Sequence, residues 1–365
     1  MYFKSLTLRN FRNYSELFTE FHPKVNIITG ENAQGKTNLI EALYFMSLGK
    51  SFRTFRDSEL IGFEKESCRF RTVFVKEDEE NTLDFTISGE MKEARLNGVK
   101  LTRNSDLLEQ VYTVIFSPED LKIVKDEPER RRRFIDRELC MMDPIYYRAL
   151  SRYKKALLQR NNLLREDRPD KTVISVWNEA LANEGAKLIR RRTAFIERLN
   201  TVSSRLHESI TQGKEALSLS YESDVSAEND PEGVFFEALE RNYEHDLYRR
   251  TTTVGPHRDD LKISIDGIDA RKYGSQGQQR TAALSLKLAE IRLIKEETGE
   301  DAVLLLDDVL SELDPNRQAF LLKTLSNVQL FITAAERSAS LLEKIPAYRL
   351  FIIERGAVKE MFDVE

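Results

Sequence analysis

Cysteine is scarce: only Cys68 and Cys140 occur in 365 residues. They form no CxxC pair and have no histidine at metal-ligand spacing, which excludes a disulfide framework and a cysteine-built zinc site; both are read as reduced. No stretch reaches the roughly 18 consecutive apolar residues that span a bilayer, so no membrane segment or membrane partner is expected. Met1 leads into Tyr2, Phe3 and Lys4 with no apolar leader, and the chain is expected in the cytoplasm, associated with the nucleoid if it meets DNA. Positive charge is not in excess either. With a formal net charge of -5 the protein cannot coat nucleic acid by bulk attraction, and any such contact needs a local basic patch. Internal repeats and low-complexity tracts are absent. What is there is a globular composition, 41% hydrophobic and 32% charged with one Trp, in a chain long enough for two packed units.

Residues 6–11 alternate as a strand, and the apolar run 24–29 is a second strand that runs into Gly30. Period-2 stretches over 69–76, 82–88 and 94–101, broken by an acidic cluster and by Gly89, predict an antiparallel meander. From 128 to 249 the apolar residues take helical spacing among many Arg and Lys, as at Leu157, Leu158, Leu163 and Leu164, with a loop at 224–231. Strand patterns return at 261–265, 303–306 and 330–333.

The segment Gly30-Glu31-Asn32-Ala33-Gln34-Gly35-Lys36-Thr37 matches GxxxxGK[ST] between that second strand and an apolar helix over 37–48. Glycines let backbone N–H groups close around phosphates, the helix N-terminus adds its dipole, Lys36 neutralises the β- and γ-phosphates and Thr37 offers a hydroxyl to Mg²⁺. These eight residues are the expected ATP-binding loop. Far downstream, Val303-Leu304-Leu305-Leu306-Asp307-Asp308 is a buried-strand pattern ending in two acids. Asp307 is the expected Mg²⁺ carboxylate and Asp308 the general base for the attacking water, so Lys36, Asp307 and Asp308 are the expected catalytic set. Taken alone, the acid pair reads equally well as a strand followed by a solvated turn.

Tyr273-Gly274-Ser275-Gln276-Gly277-Gln278-Gln279-Arg280 and Ser311-Glu312-Leu313-Asp314 bracket that strand. The first resembles the signature motif of ABC-type ATPases, carried by Ser275, Gln276, Gly277 and Gln278, and the second resembles their D-loop, with Ser311 and Asp314. Lys36 and Asp307 stand 271 positions apart, more than in transporter ATPases, and the insert lacks the sustained heptads of coiled-coil SMC proteins. Together with Leu8-Arg9-Asn10-Phe11-Arg12-Asn13-Tyr14, Phe116-Ser117-Pro118-Glu119-Asp120-Leu121, Arg131-Arg132-Arg133-Phe134-Ile135-Asp136 and Gly255-Pro256-His257-Arg258-Asp259-Asp260-Leu261, the chain resembles the RecF family over nearly its whole length.

The resemblance implies an α/β, ABC-type (SMC-like) ATPase head assembled from both chain ends, with an antiparallel β subdomain and an inserted α-helical domain without a long coiled coil. The boundaries expected are 1–120, 121–248 and 249–365. It also implies a weak DNA-dependent ATPase using ATP and Mg²⁺, an ATP-dependent head-to-head homodimer with the signature acting in trans, and nucleotide contacts from Arg12 and Asn13, which a surface turn would explain equally well. The partners implied are DNA, single- and double-stranded and gapped, with RecO and RecR, in loading RecA on strands coated by SSB during repair and replication restart. A transport-ATPase subunit is the competing class; the long basic insert and the 255–261 motif speak against it.

No Gln stands at the expected Q-loop, where Ser117-Pro118-Glu119 occurs, and Thr333-Ala334-Ala335 replaces the switch histidine, which together with Asp308 implies slow hydrolysis. For DNA, residues 121–165 hold thirteen Lys or Arg against six Asp or Glu. Arg130, Arg131, Arg132, Arg133, Lys154 and Lys155 are the candidate phosphate contacts, and Arg190 to Arg192 weaker ones, each also readable as a solvated or ion-paired helix face. His257 reads as a packing residue beneath the head or, less readily, as a nucleotide sensor.

Overall fold

A computed structural model describes the chain apart from residues 227, 326, 335–344, 346 and 365. Its contacts divide into one unit of Met1–Asp120 with Ile294–Glu365 and a second of Leu121–Leu293. The return to the first unit therefore falls near 293, within a helix, and not at 248/249. Residues 249–293 stay in the second unit because a strand at 260–265 pairs there.

In the first unit, β1 (Tyr2–Phe11), β2 (Tyr14–Glu20), β4 (Ser67–Lys76), β5 (Glu79–Ser88), β6 (Met91–Leu96) and β7 (Val99–Lys100) form an antiparallel sheet in the order β2-β1-β4-β5-β6-β7. The other sheet runs β15-β14-β3-β13-β12-β8, built from β3 (Val25–Thr29), β8 (Thr113–Phe116), β12 (Val303–Asp307), β13 (Leu330–Ala334), β14 (Tyr348–Glu354) and β15 (Ala357–Val364). Its strands are parallel except for β15, which pairs antiparallel with β14. β12 and β13 are buried along almost their whole length, the uninterrupted apolar pattern of a covered parallel sheet. Helix α1 (Lys36–Leu48) buries ten of its thirteen residues. Phe45 stacks on Phe70 of β4 at 4.9 Å between centroids and meets Phe85 of β5 edge-on, so the helix behind the phosphate-loop motif is fixed by the aromatic core.

The second unit contains α2 (Pro128–Met142), α3 (Pro144–Leu163), α4 (Lys171–Thr211), α5 (Pro231–Arg241), α6 (Tyr243–Arg249), α7 (Ala270–Tyr273) and the start of α8 (Gln276–Thr298). Asp143 caps α3 by accepting from the Ile145 and Tyr146 amides, with Pro144 at the first helical position, and Asp170 caps α4 in the same way. Between α4 and α5 lies β9 (Leu217–Glu222), which pairs antiparallel with β10 (Asp260–Ile265); β11 (Ile268–Asp269) completes this small sheet. The segment expected to be helical apart from the loop at 224–231 therefore holds one strand, whose signal is the alternation of Leu217, Leu219 and Tyr221. No described helix is long and apolar enough to cross a membrane.

Candidate functional site

The chain emerges from β3 at Gly30, β12 at Asp308, β13 after Ala334 and β8 at Ser117, all at the carboxyl edge of one parallel sheet. That edge is where open α/β sheets carry their ligand sites. The loop from Gly30 to Gly35 is shaped by positive φ at Gly30 (143°), Ala33 (63°) and Gly35 (119°). A Cβ on Gly30 would stand 2.3 Å from the Ile353 carbonyl oxygen, so β14 as well as any phosphate forbids a side chain there. Lys36, buried at 5% exposure, donates from Nζ to the Gly30 and Glu31 carbonyls at 2.6 and 3.0 Å. Glu31, Asn32 and Ala33 are exposed at the loop tip, and Gln34 is half-buried.

The two ends of the sequence meet at Asp307. Its Oδ1 accepts from Thr37 Oγ1 at 3.1 Å and from Thr333 Oγ1 at 2.9 Å, and Thr333 Oγ1 in turn accepts from the Asp308 amide at 2.8 Å. Burial raises the Asp307 carboxyl above the usual range, and the Thr333 and Thr37 hydroxyls oppose that shift. A desolvated carboxylate beside a hydroxyl, with a lysine on the adjoining loop, is the hard oxygen set that suits Mg²⁺ carrying phosphates. Asp308 adopts φ 53° and is partly exposed, one residue beyond the strand. Thr333 was legible only as the position of a missing histidine; its role follows from the strand order. Ala335 lies outside the described residues.

Ser117 gives its amide and hydroxyl to Asp120 Oδ2 at 2.9 and 2.8 Å, closing a turn. Of Arg12 and Asn13, expected at the nucleotide, the first is tied to helix α1 and the second to the loop. Arg12 makes a bidentate pair with the fully buried Glu41 of α1 at 2.9 and 2.7 Å, as a buried carboxylate requires. Asn13 donates to the Gln34 carbonyl at 2.9 Å and accepts from Asn38 at 2.8 Å, and Asn38 accepts from Arg53 at 2.7 Å. The sequence reading missed Glu41, Asn38 and Arg53, none of which lies in a motif.

In the second unit Ser275, Gln276 and Gly277 are exposed at the start of α8. Ser275 Oγ accepts from the Gln278 amide at 3.2 Å while Gln278 Oε1 accepts from the Ser275 amide at 2.9 Å, a reciprocal capping box that fixes the serine at a helix N-terminus. In the first unit Ser311 donates to the Asp308 carbonyl at 2.7 Å, and Asp314 caps α9 (Pro315–Thr324) and pairs with Arg317.

The arginine run disperses. Arg131 is buried and forks onto Asp260 at 2.7 Å from both Nε and Nη2, and Arg132 donates to the Asp259 carbonyl at 2.7 Å. Buried and paired within its unit, Arg131 is closed to a phosphate, whereas Arg132 is half-buried. Arg130 pairs with Asp126 at 3.0 Å and Arg133 with Glu129 at 2.5 Å. Lys154 stays exposed, 3.9 Å from Asp136, and Lys155 is exposed. Arg191 pairs with Asp143, while Arg192 is buried against Tyr146, Pro256 and Asp136. His257 is half-buried, held between Tyr153 Oη (2.7 Å) and the Thr252 carbonyl (3.0 Å), and desolvation lowers its pKa to about 4; it packs the second unit.

A phosphate loop after β3, an acid-tipped strand two places along the same sheet and a signature-like helix start define an SMC-like ABC-type ATPase head. The RecF/RecN/SMC N terminal domain model matches residues 2–354. A DNA replication and repair protein RecF of Clostridioides difficile (strain 630) is 42% identical over 363 residues, 98% of each chain, and one from Halalkalibacterium halodurans is 43% identical over 370 residues, 99% of this chain and 100% of that one. Among solved structures, the recombination mediator protein RecF-ATPrS in the RecFOR pathway superposes with a TM-score of 0.91 at 39% identity, covering 98% of this chain and 97% of that one. The Smc head domain of Pyrococcus furiosus, at 17% identity and TM-score 0.58 over 100% of this chain and 96% of that one, shares the fold. The chain belongs to the RecF family.

Proposed function

We propose that this protein is an ATP-gated DNA clamp of recombinational repair and replication restart. The observation that carries the reading is Asp307 held between Thr37 and Thr333 beside the Lys36 loop. Thr37 and Asp307 hold Mg²⁺, Lys36 and the loop amides from Gly30 to Gly35 hold the phosphates, and Asp308 takes the proton of the attacking water. Bound Mg-ATP supplies the γ-phosphate on which both hydrolysis and dimerisation depend. The exposed Ser275 and Gly277 of one chain cap the γ-phosphate held by Lys36 of a second, so ATP binding and dimerisation are linked equilibria. Hydrolysis is slow because no histidine stands at Thr333.

DNA is held by phosphate contacts along α3, where Arg148, Arg152 and Lys155 are exposed at helical spacing and, among the described residues, only Arg152 of the three meets a carboxylate, Glu184 at 3.4 Å. Lys154 belongs to the same helix; Arg131 does not take part. The RecFOR pathway named for a solved relative supports cooperation with RecO and RecR, and loading of RecA at gaps belongs to the same proposal.

The test is fluorescence anisotropy of a labelled gapped duplex with and without Mg-ATP at two salt concentrations, beside sedimentation of the protein. Wild type binds more tightly with Mg-ATP and more weakly in high salt. Lys36→Met loses ATP binding and hydrolysis. Ser275→Arg keeps ATP binding but not the ATP-dependent dimer. A protein that ignores DNA in every condition sinks the clamp, and a Ser275→Arg variant that still dimerises sinks the composite site.

A further inference from the structure

The loop that carries Lys36 is fastened from one side by a part of the chain that no motif marks. The strands β14 and β15 are joined by the two-residue turn Arg355-Gly356, since Glu354 pairs with Ala357, and both turn residues have positive φ, 49° and 72°, as a tight hairpin of matching twist requires. Because β14 lies beside β3 in the sheet, this turn is delivered next to the phosphate loop. Two hydrogen bonds join them: the Arg355 amide donates to Gln34 Oε1 at 2.6 Å and the Gly356 amide to the Gln34 carbonyl at 2.9 Å. The same carbonyl takes the Asn13 amide group at 2.9 Å. The packing is close enough that a Cβ on Gly356 would stand 2.1 Å from the Asn13 carbonyl oxygen, as one on Gly30 would stand 2.3 Å from that of Ile353.

We propose that the Arg355-Gly356 turn is a latch that holds the phosphate loop in its nucleotide-binding shape through Gln34, making Gln34 and Gly356 positioning residues of the ATP site. The proposal rests on the ATP reading of that loop. A loop with three positive-φ residues, one of them the non-glycine Ala33, has many cheaper conformations, and ordering it on binding would cost affinity. The latch places that cost in folding, where β14 and β15 meet it. It also ties the hairpin to the nucleotide: phosphate on the loop amides restrains Gln34, and Gln34 restrains the turn.

The experiment uses the full chain, with a fluorescent ATP analogue and Mg²⁺ for affinity, a thermal melt without nucleotide, and hydrogen exchange of the Arg355 and Gly356 amides with and without Mg-ATP. Gln34→Ala removes the side-chain bond and keeps the backbone one, and weakens nucleotide about five-fold, the loss of one neutral hydrogen bond, with the melt unchanged. Exchange of the two amides slows in wild type when Mg-ATP is added and does not respond in Lys36→Met. Gly356→Ala loses nucleotide more severely; should it fail to fold, Gln34→Ala and the exchange data still decide. Wild-type affinity in Gln34→Ala, or amides indifferent to Mg-ATP in a wild type that binds it, overturns the latch. A wild type that binds no Mg-ATP overturns the ATP reading and the latch with it.

Discussion

Acid should weaken the second unit through His257, by an amount the structure allows to be worked out. The ring is enclosed between Tyr153 and the Thr252 carbonyl, and burial lowers its pKa from 6.5 to about 4. A depressed histidine pKa means that the folded state binds the proton less readily than the unfolded state. Its stabilising contribution is therefore complete above about pH 6.5 and is lost as pH falls toward 4. Between pH 7 and pH 4 the linkage integral for that shift is about 3 kcal/mol, at 1.36 kcal/mol per unit and with the last half-unit incomplete. Urea denaturation at pH 7, 6, 5 and 4, followed by the fluorescence of Trp177, is the assay. That residue is the single tryptophan and lies on α4 of the same unit. Because other titrations cancel in the comparison, wild type should lose about 3 kcal/mol relative to His257→Asn over this range. Parallel stability curves for the two proteins would refute the desolvated, neutral histidine and reopen a role for it outside packing.

Glu290 on α8 carries the opposite sign: burial first, then neighbouring Glu138, holds its carboxyl well above the usual range, against Lys287 at 2.6 Å. Its favourable contribution is complete below about pH 4.5 and fades as pH rises, so Glu290→Gln should gain on wild type between pH 5 and pH 8 in the same denaturation assay; a constant difference contradicts this. Arg131→Ala removes both bonds of that arginine to the partly exposed Asp260, which keeps the Leu261 amide, and should cost about 1.5–3 kcal/mol of stability, seen as a lowered denaturation midpoint. Lys155→Ala should leave stability within about 0.5 kcal/mol and reduce the slope of log affinity for DNA against log salt by about 1. An unchanged slope removes Lys155 from the contact surface.

The parts of the site carried by contiguous residues were legible in the sequence. Gly30 to Thr37 announce a phosphate loop because its glycines and lysine must stand at fixed intervals between a strand and a helix, and the acids after Leu306 announce themselves by ending an apolar run. The basic surface was legible only as a charge surplus: Arg131 and Arg133 look alike in sequence, but helical phase buries one against Asp260 and exposes the other. Alternation at Leu217 to Tyr221 was present and was outweighed by the helical pattern around it. Three-dimensional structure alone decided what lies beside the phosphate loop. Strand order sets β13 against β12, so Thr333 meets Asp307, and sets β14 against β3, so the turn at Gly356 meets Gln34, across more than three hundred residues in the second case. Local spacing encodes which backbone shapes a segment can take, whereas which segments become neighbours depends on how whole sheets bury their apolar faces, a choice made by the chain as a whole.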